Sequence, residues 1–180
     1  MSNASNDRVI KLAELTGTLP AAHAPFVLSD VERHEIEHEL EHFPDGRAAG
    51  IEALKIVQKH RGWVPDGAIA PLAEILKISA ADLEGVATFY SLIFRKPVGR
   101  HVIKVCDSIS CYLTGYEDIQ RALEKTLGIG YGQTTPDNRF TLLPICCLGA
   151  CDKGPTLMID DDLHGDLTPQ GVAKLLENYK

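Results

Sequence analysis

CCLGACDKGP, the stretch from Cys146 to Pro155, holds three of the chain's five cysteines and then turns at a Gly-Pro pair. The other two, Cys106 and Cys111, precede it. All five thiols therefore belong to one part of the chain. What they do depends on whether they are oxidised, buried or bound to metal.

Length and charge limit the possible functions. The chain has 180 residues, enough for one ordinary domain or two small ones. Its formal net charge of -7 argues against a general binder of nucleic acid or of anionic membranes, because both need a basic face. No apolar run is as long as a transmembrane helix, and the polar start MSNASNDR lacks the features of a signal peptide. We therefore expect a cytoplasmic protein without direct membrane insertion, whose reduced thiols bind metal or act in catalysis.

The spacing of the cysteines favours iron and sulfur over zinc. Cys106 and Cys111 form a C-x4-C pair, and Cys147 and Cys151 form a C-x3-C pair. Zinc knuckles and thioredoxin-like redox sites use C-x2-C, a spacing that this sequence lacks. Two pairs of thiolates from different loops suit a 2Fe-2S cluster, in which each pair chelates one iron. Scattered buried thiols are a less favoured alternative, and a structural zinc-binding interaction module is an alternative of another class.

The residues before the cysteines divide into a tail and a helical zone. Residues 1–28 mix small polar residues with prolines around a short VIKLAEL run, and we assign them no function. Residues 29–98 predict a bundle of four short helices. Capping signals begin two of them at Ser29 and Ser79, and the other two are predicted over 48–60 and 70–77.

After Gly99 the spacing of apolar residues changes and predicts strands as well as helices. We assign residues 99–180 to a small α/β layer unit. HVIKV, RFTLLPI and TLMID predict strands, and YEDIQRALEKTL predicts a helix. TPQGVAKLLENY predicts a last helix, capped by Thr168. All five cysteines lie at strand ends or in the loops that follow, where a rigid scaffold usually presents a functional site.

Both zones resemble one known family. The segments CDSISC, LPICCLGACDKGP and HGDLTP, with ALKIVQKHRGWVPDGAI and EGVATFYSLIFRKPVGRH before them, are closely similar to the small 2Fe-2S subunit of bacterial NADH:quinone oxidoreductase, respiratory complex I. The resemblance runs from about Ser29 to the C-terminus. It implies an N-terminal helical bundle followed by a thioredoxin-like α/β ferredoxin domain. It also implies one 2Fe-2S cluster, with its irons bound by Cys106, Cys111, Cys147 and Cys151.

The resemblance further implies a role in electron transfer. A protein of this kind exchanges single electrons with FMN in a partner flavoprotein subunit that binds NADH, so neither FMN nor NADH is expected in this chain. It would belong to the peripheral arm of the complex, on the cytoplasmic face of the inner membrane. The equivalent 2Fe-2S subunit of an NAD-dependent hydrogenase or formate dehydrogenase is the near alternative.

Two other motifs resemble a zinc-protease site and a dinucleotide-binding loop, but the residues around them argue against both functions. HEIEHELEH, residues 34–42, contains two overlapping H-E-x-x-H matches, which are typical of zinc proteases. Ile36, Leu40 and Phe43 form the apolar stripe of this helix, so its histidines are expected on the opposite, solvated face. GIGYG lacks the G-x-G-x-x-G order of a dinucleotide-binding loop and predicts a turn.

The adjacent cysteines Cys146 and Cys147 cannot both be ligands. They end an extended run, in which neighbouring side chains point to opposite sides, so only one of them can reach the cluster. The resemblance selects Cys147.

The segment GVATFYSLIF, residues 85–94, is a candidate docking face for the flavoprotein subunit. A small helical bundle buries little core by itself, so its spare apolar surface is available to another chain. The alternative is that its aromatic side chains fill the core of the bundle.

Overall fold

A computed structural model describes residues 26–180 of the chain, so most of the predicted tail lies outside the described residues. In this range the chain forms four helices, then a mixed sheet with three further helices. The elements, in chain order, are α1 (Asp30–Leu40), α2 (Gly50–Arg61), α3 (Ile69–Leu76), α4 (Ala80–Phe89), β1 (His101–Cys106), α5 (Ile109–Leu113), α6 (Tyr116–Leu127), β2 (Phe140–Ile145), β3 (Leu157–Ile159), β4 (Asp162–His164) and α7 (Val172–Leu176). From Phe26 onward, no helix combines the length and the apolar character needed to cross a membrane.

Side-chain caps begin two of the four N-terminal helices where the sequence predicts them. Glu32 N–H donates to the Ser29 hydroxyl at 3.2 Å, and Ser29 N–H donates back to the Glu32 carboxylate at 2.7 Å, which completes a capping box. Ser79 likewise accepts a hydrogen bond from Asp82 N–H at 3.0 Å. Pro71 is compatible with α3 because it lies in the first turn, where no intrahelical partner is available for its missing N–H.

The helical part has its own apolar core. Side chains from all four helices form one buried cluster, to which Leu28 also contributes. Its fully buried large side chains are Ile36, Leu54, Leu72, Leu76 and Leu83. Glu32 is buried beside this core and forms a two-pronged ion pair with Arg61 of α2. This pair joins the start of α1 to the end of α2.

The sheet has the strand order β2-β1-β3-β4. β1 is central, parallel to β2 and antiparallel to β3, and β3 turns back into β4 as a short hairpin. The second buried cluster contains strand residues together with apolar residues of α6 and α7, so these two helices pack on the sheet. Because β1 and β2 are parallel, their carboxyl ends meet at the same edge of the sheet.

Three features of the sheet part differ from the sequence prediction. The short helix α5 and the strand β4 lie in segments for which no helix or strand is predicted. The last helix does not begin at Thr168, because residues 168–171 form a turn in which Gly171 N–H donates to the Thr168 carbonyl at 2.9 Å. α7 therefore starts at Val172, with Gly171 and not Thr168 at its N-cap position.

Candidate metal centre

Parallel pairing of β1 and β2 brings the two cysteine pairs together. Cys106 is the last residue of β1 and lies opposite Ile145, the last residue of β2. Cys146 and Cys147 follow directly, and the Cys106 sulfur lies 3.7 Å from the Cys146 carbonyl oxygen. The loop after each strand thus meets the other at the carboxyl edge of the sheet.

The first pair, Cys106 and Cys111, is buried. Cys106 is 2% exposed and Cys111 is 1% exposed, because α5 folds the loop after β1 back over the sheet edge. The Cys111 sulfur lies 3.4 Å from the hydroxyl of Thr156, a buried residue just before β3. Three segments that are distant in sequence therefore enclose this pair.

The surroundings shift the pKa values of the two buried thiols in opposite directions. Burial raises the pKa of Cys106, but the backbone N–H groups of Ser108 and Leu148, with smaller contributions from Cys111 and Thr156, together outweigh it and leave that pKa below its ordinary value. At Cys111 burial dominates, and the adjacent Cys106 thiol adds to it, so the pKa is raised despite hydrogen bonds from Thr156. Leu148 belongs to the loop after β2, so this loop helps to solvate a sulfur of the first pair.

The second pair, Cys147 and Cys151, lies at the surface. Its two sulfurs are 3.9 Å apart, and both residues are exposed. Gly149 N–H donates to the Cys147 sulfur at 3.4 Å, and Gly149 has a φ of 81°, which glycine adopts without strain. Cys151 begins a short 3-10 turn, Cys151–Lys153, that returns the chain toward β3.

The donor set fits a two-iron cluster better than a single metal ion. All four predicted ligands are thiols, and soft thiolates select zinc or iron–sulfur clusters. In the described part of the chain, no three cysteine sulfurs lie within 4.8 Å of one another, so the thiols are arranged as two pairs and not as one tetrahedron. Two such pairs on separate loops match a cluster in which each iron takes two thiolates.

Cys146 occupies a different position from its neighbour. It is exposed, and the backbone carbonyl of Cys146, not its thiol, approaches Cys106. The sulfur of Cys147 instead lies beside that of Cys151. The choice of Cys147 over Cys146 as a ligand remains a prediction.

The remaining sequence motifs fall where their patterns indicate. His34, His38 and His42 are exposed, whereas Ile36 is buried and Leu40 packs against the helical core. The H-E-x-x-H matches therefore do not form an inward-facing protease site. GIGYG lies in the connection after α6 and includes a turn, as predicted.

Two groups of apolar side chains are exposed at the surface, one at the end of α4 and one on α5. Phe89, the last residue of α4, is 79% exposed, and in the segment that follows it Tyr90 is 43% exposed and Leu92 46%. The alternative that the aromatic residues of 85–94 fill the core is therefore wrong for Phe89. Sequence reasoning missed the second patch, on α5, whose members are Ile109, Tyr112 and Leu113, exposed by 67%, 52% and 77%. The sequence does show three large apolar residues close to Cys111, in a segment too short to form a periodic apolar face.

Comparison with known proteins identifies the class. Residues 36–180 match the family of thioredoxin-like 2Fe-2S ferredoxins, and the chain belongs to that family. The fold class is confirmed, and so is the prediction of one 2Fe-2S cluster.

Relatives narrow the identification to a component of an oxidoreductase. The E subunit of NADH-quinone oxidoreductase from Pseudomonas aeruginosa is 68% identical over 154 residues, which cover 86% of this chain and 93% of the relative. The protein of the same name from Escherichia coli K12 is 66% identical over 155 residues, with the same two coverages of 86% and 93%. The resemblance to the small 2Fe-2S subunit of complex I, found in the sequence, is thereby confirmed.

A solved structure shares the fold. It is the crystal structure of an NAD+-reducing NiFe-hydrogenase in the H2-reduced state, with a TM-score of 0.59 and 23% sequence identity. The alignment covers 70% of this chain but only 22% of the hydrogenase chain. The likeness therefore concerns a small part of that larger chain.

Proposed function

We propose that this chain is the subunit of NADH:quinone oxidoreductase (complex I) that exchanges single electrons with FMN in an NADH-binding flavoprotein subunit. Its 2Fe-2S cluster is bound by two pairs of ligands, Cys106 with Cys111 and Cys147 with Cys151. The observation that carries this proposal is the meeting of the two loops that hold these pairs at the carboxyl ends of the parallel strands β1 and β2. The high identity to the corresponding protein of other bacteria supports the choice of complex.

The cluster, when bound, supplies a centre that accepts and donates one electron at a time. The chain's own residues prepare the site for that charge. The backbone N–H groups of Ser108 and Leu148 lower the pKa of the Cys106 thiol, and Gly149 N–H donates to the Cys147 sulfur at 3.4 Å. Such donors stabilise negative charge on sulfur and so favour thiolates, the form in which cysteine binds metal. The exposed second pair leaves one side of the site at the protein surface, where a partner can approach.

NADH chemistry requires a partner subunit. NADH delivers a hydride, which carries two electrons, whereas one 2Fe-2S cluster takes one electron. A flavin must therefore lie between them and divide the pair. GIGYG is not a dinucleotide fingerprint, and we place both FMN and NADH in the flavoprotein subunit.

The α5 patch supports a docking role close to the cluster. Exposed apolar groups of this size mark interaction sites, and Ile109 and Leu113 lie on the helix that carries Cys111. Docking of the flavoprotein here shortens the path for the electron. The patch formed by Phe89, Tyr90 and Leu92 then serves as a second contact with the same partner, within the peripheral arm on the cytoplasmic face of the inner membrane.

The docking role is testable by copurification. A tagged chain carrying Ile109→Ser and Leu113→Ser should keep its iron and lose most of the bound flavoprotein, because it removes the two most exposed apolar side chains of the α5 patch. Phe89→Ser tests the second contact in the same way, and Val31→Ser, at an exposed residue of α1, is the matched control. Flavoprotein retention at the wild-type level in both patch variants would rule out these docking faces.

The alternative, the equivalent subunit of an NAD-dependent hydrogenase or formate dehydrogenase, comes from the sequence resemblance, and the hydrogenase structure adds only a shared fold. The proteins that copurify with the tagged chain decide between the two: respiratory subunits support complex I, and hydrogenase subunits support the alternative. The zinc-module alternative predicts zinc without acid-labile sulfide, and elemental analysis of the anaerobically purified chain tests it.

Electron transfer itself is tested with NADH and ferricyanide. The purified chain should be reduced by dithionite but should show no NADH-dependent ferricyanide reduction. Addition of the flavoprotein subunit should let NADH reduce the 2Fe-2S centre. NADH oxidation by a flavin-free preparation of this chain alone would overturn the proposal.

A further inference from the structure

A second group of ligand-type side chains lies at the carboxyl end of α1. Ligand atoms of His38, Glu39 and His42 lie within 4.8 Å of one another. All three residues belong to the helical part, whereas all five cysteines belong to the sheet part. We propose that these three side chains bind one divalent transition-metal ion of the zinc, nickel or copper type, independently of the 2Fe-2S site.

The geometry suits chelation by two imidazoles. His38 lies in the last turn of α1 and His42 in the turn that follows this helix, and the centroids of their rings are 5.2 Å apart. Zinc–nitrogen bonds of about 2.0–2.1 Å in a tetrahedral site place two donor atoms about 3.3 Å apart. Both histidines are exposed, so a small rotation about their side-chain bonds is enough to close the remaining gap. Imidazole is a suitable ligand for all three metals.

A hydrogen bond prepares His42 as a ligand. Its Nδ1 atom lies 3.2 Å from the His38 carbonyl oxygen. A carbonyl oxygen can only accept, so Nδ1 carries the hydrogen and Nε2 keeps its lone pair. Metal-binding histidines commonly use this arrangement, in which a backbone carbonyl fixes one ring nitrogen and leaves the other for the metal.

The surrounding charges favour a cation. Helix α1 presents its carboxyl end here, where unpaired carbonyl groups give a partial negative charge. Within residues 26–180, no Lys, Arg or His nitrogen lies within 4.0 Å of the Glu39 carboxylate. The nearby Lys59 is instead paired with Glu35, and Nε2 of His60 lies 3.1 Å from the same carboxylate. Glu39 therefore has no ion-pair partner among the described residues and can supply an oxygen ligand, and solvent can complete the coordination.

Zinc titration of the oxidised holoprotein tests this site by isothermal calorimetry. The cluster occupies four cysteines, and any weak binding at Cys146 is common to all variants. We expect one zinc ion per chain in the wild type. His38→Ala and His42→Ala should each weaken binding about 10-fold or more, since loss of an outer-shell partner alone typically costs 10–100-fold. Glu39→Gln should weaken it less, because the two imidazoles remain.

His34→Ala is the matched control. His34 is exposed on the same helix one turn earlier, and it lies outside the group formed by His38, Glu39 and His42. Its loss should leave zinc affinity unchanged, and iron content should be constant in every variant. Wild-type affinity in His42→Ala, equal weakening in His34→Ala, or the absence of zinc binding to the wild type would each overturn the proposal.

Discussion

The helical part and the sheet part use their polar groups in opposite ways. In the helical part, the buried carboxylate of Glu32 is satisfied by Ser29 and Arg61, and Arg95 pairs with Glu84. These groups hold helices and connections together. In the sheet part, donors from several segments converge on cysteine sulfurs at the edge of the sheet. Stability and site chemistry are therefore separated along the chain, and mutations should affect one without the other.

The largest stability effect is expected when the buried ion pair is broken. Arg61→Leu leaves the carboxylate of Glu32 buried without its partner, which should lower the free energy of unfolding by about 3 kcal/mol. This value is at the low end for buried pairs because the Arg61 side chain is 30% exposed. Trp63, the chain's one tryptophan, lies just after α2 and reports urea unfolding of the helical part by fluorescence. An unchanged iron content in Arg61→Leu would support the separation of helical stability from site chemistry, whereas loss of the cluster in the same variant would contradict it.

The same ion pair predicts a pH dependence. The hydrogen bond from Arg61 is the largest cause that lowers the pKa of Glu32. Burial raises this pKa, but the hydrogen bonds from Ser29 add to the effect of Arg61, and the pKa falls from 4.5 to about 2. A carboxylate whose pKa is lower in the folded state stabilises the fold fully above pH 4.5, and that contribution is lost as the pH falls toward 2. Urea unfolding followed by Trp63 fluorescence between pH 5 and 2 should show this loss in the wild type. A loss of the same size in Arg61→Leu would contradict the assignment.

A pair of glycine substitutions should change the stability of the helical part in opposite directions. A Cβ atom at Gly46 would lie 1.8 Å from the Leu76 carbonyl oxygen, so Gly46→Ala forces a backbone shift. We expect a loss of about 1–3 kcal/mol. At Gly85, inside α4, a Cβ atom meets nothing within 4 Å, and Gly85→Ala should stabilise the helix by about 0.5–1 kcal/mol. Urea unfolding followed by Trp63 fluorescence measures both changes. Equal effects of Gly46→Ala and Gly85→Ala on the free energy of unfolding would contradict the close contact at Gly46 and the open space at Gly85.

A smaller effect is expected at the site itself. Thr156→Val removes the hydroxyl that lies 3.4 Å from the Cys111 sulfur. Reduction adds negative charge to the cluster, so loss of a donor should lower the reduction potential. About 1 kcal/mol of lost hydrogen bonding corresponds to roughly 40 mV for one electron. Redox titration followed by EPR measures the shift, and Thr156→Ser, which keeps the hydroxyl, should restore most of it. A potential that is unchanged in Thr156→Val would show that this hydroxyl does not act on the cluster.

Local chemistry made much of the helical part predictable. The hydroxyls of Ser29 and Ser79 cap helices in a way that needs no knowledge of distant residues, and both helix starts are confirmed. The predicted helix over 48–60 agrees with α2 to within two residues. Tertiary packing was harder to foresee, since Tyr90 continues the apolar spacing of α4 but lies beyond its end and is exposed.

The site was predictable in its ligand types and not in its assembly. Spacing alone separates the two cysteine pairs, but their meeting depends on the parallel pairing of β1 with β2, which is a long-range contact. Helix α5 has five residues and no periodic apolar face of useful length, so its sequence carries little signal. The donors from Leu148 and Thr156 come from distant segments, and only the folded chain shows that they converge.

The most direct test of the account compares two adjacent cysteines in otherwise identical chains. Cys146→Ser and Cys147→Ser are purified anaerobically, analysed for iron and acid-labile sulfide, and examined by EPR after dithionite reduction. The account predicts that Cys146→Ser keeps the wild-type iron content and spectrum, whereas Cys147→Ser loses the native 2Fe-2S signal. Equal iron content and identical EPR spectra in the two variants would contradict it.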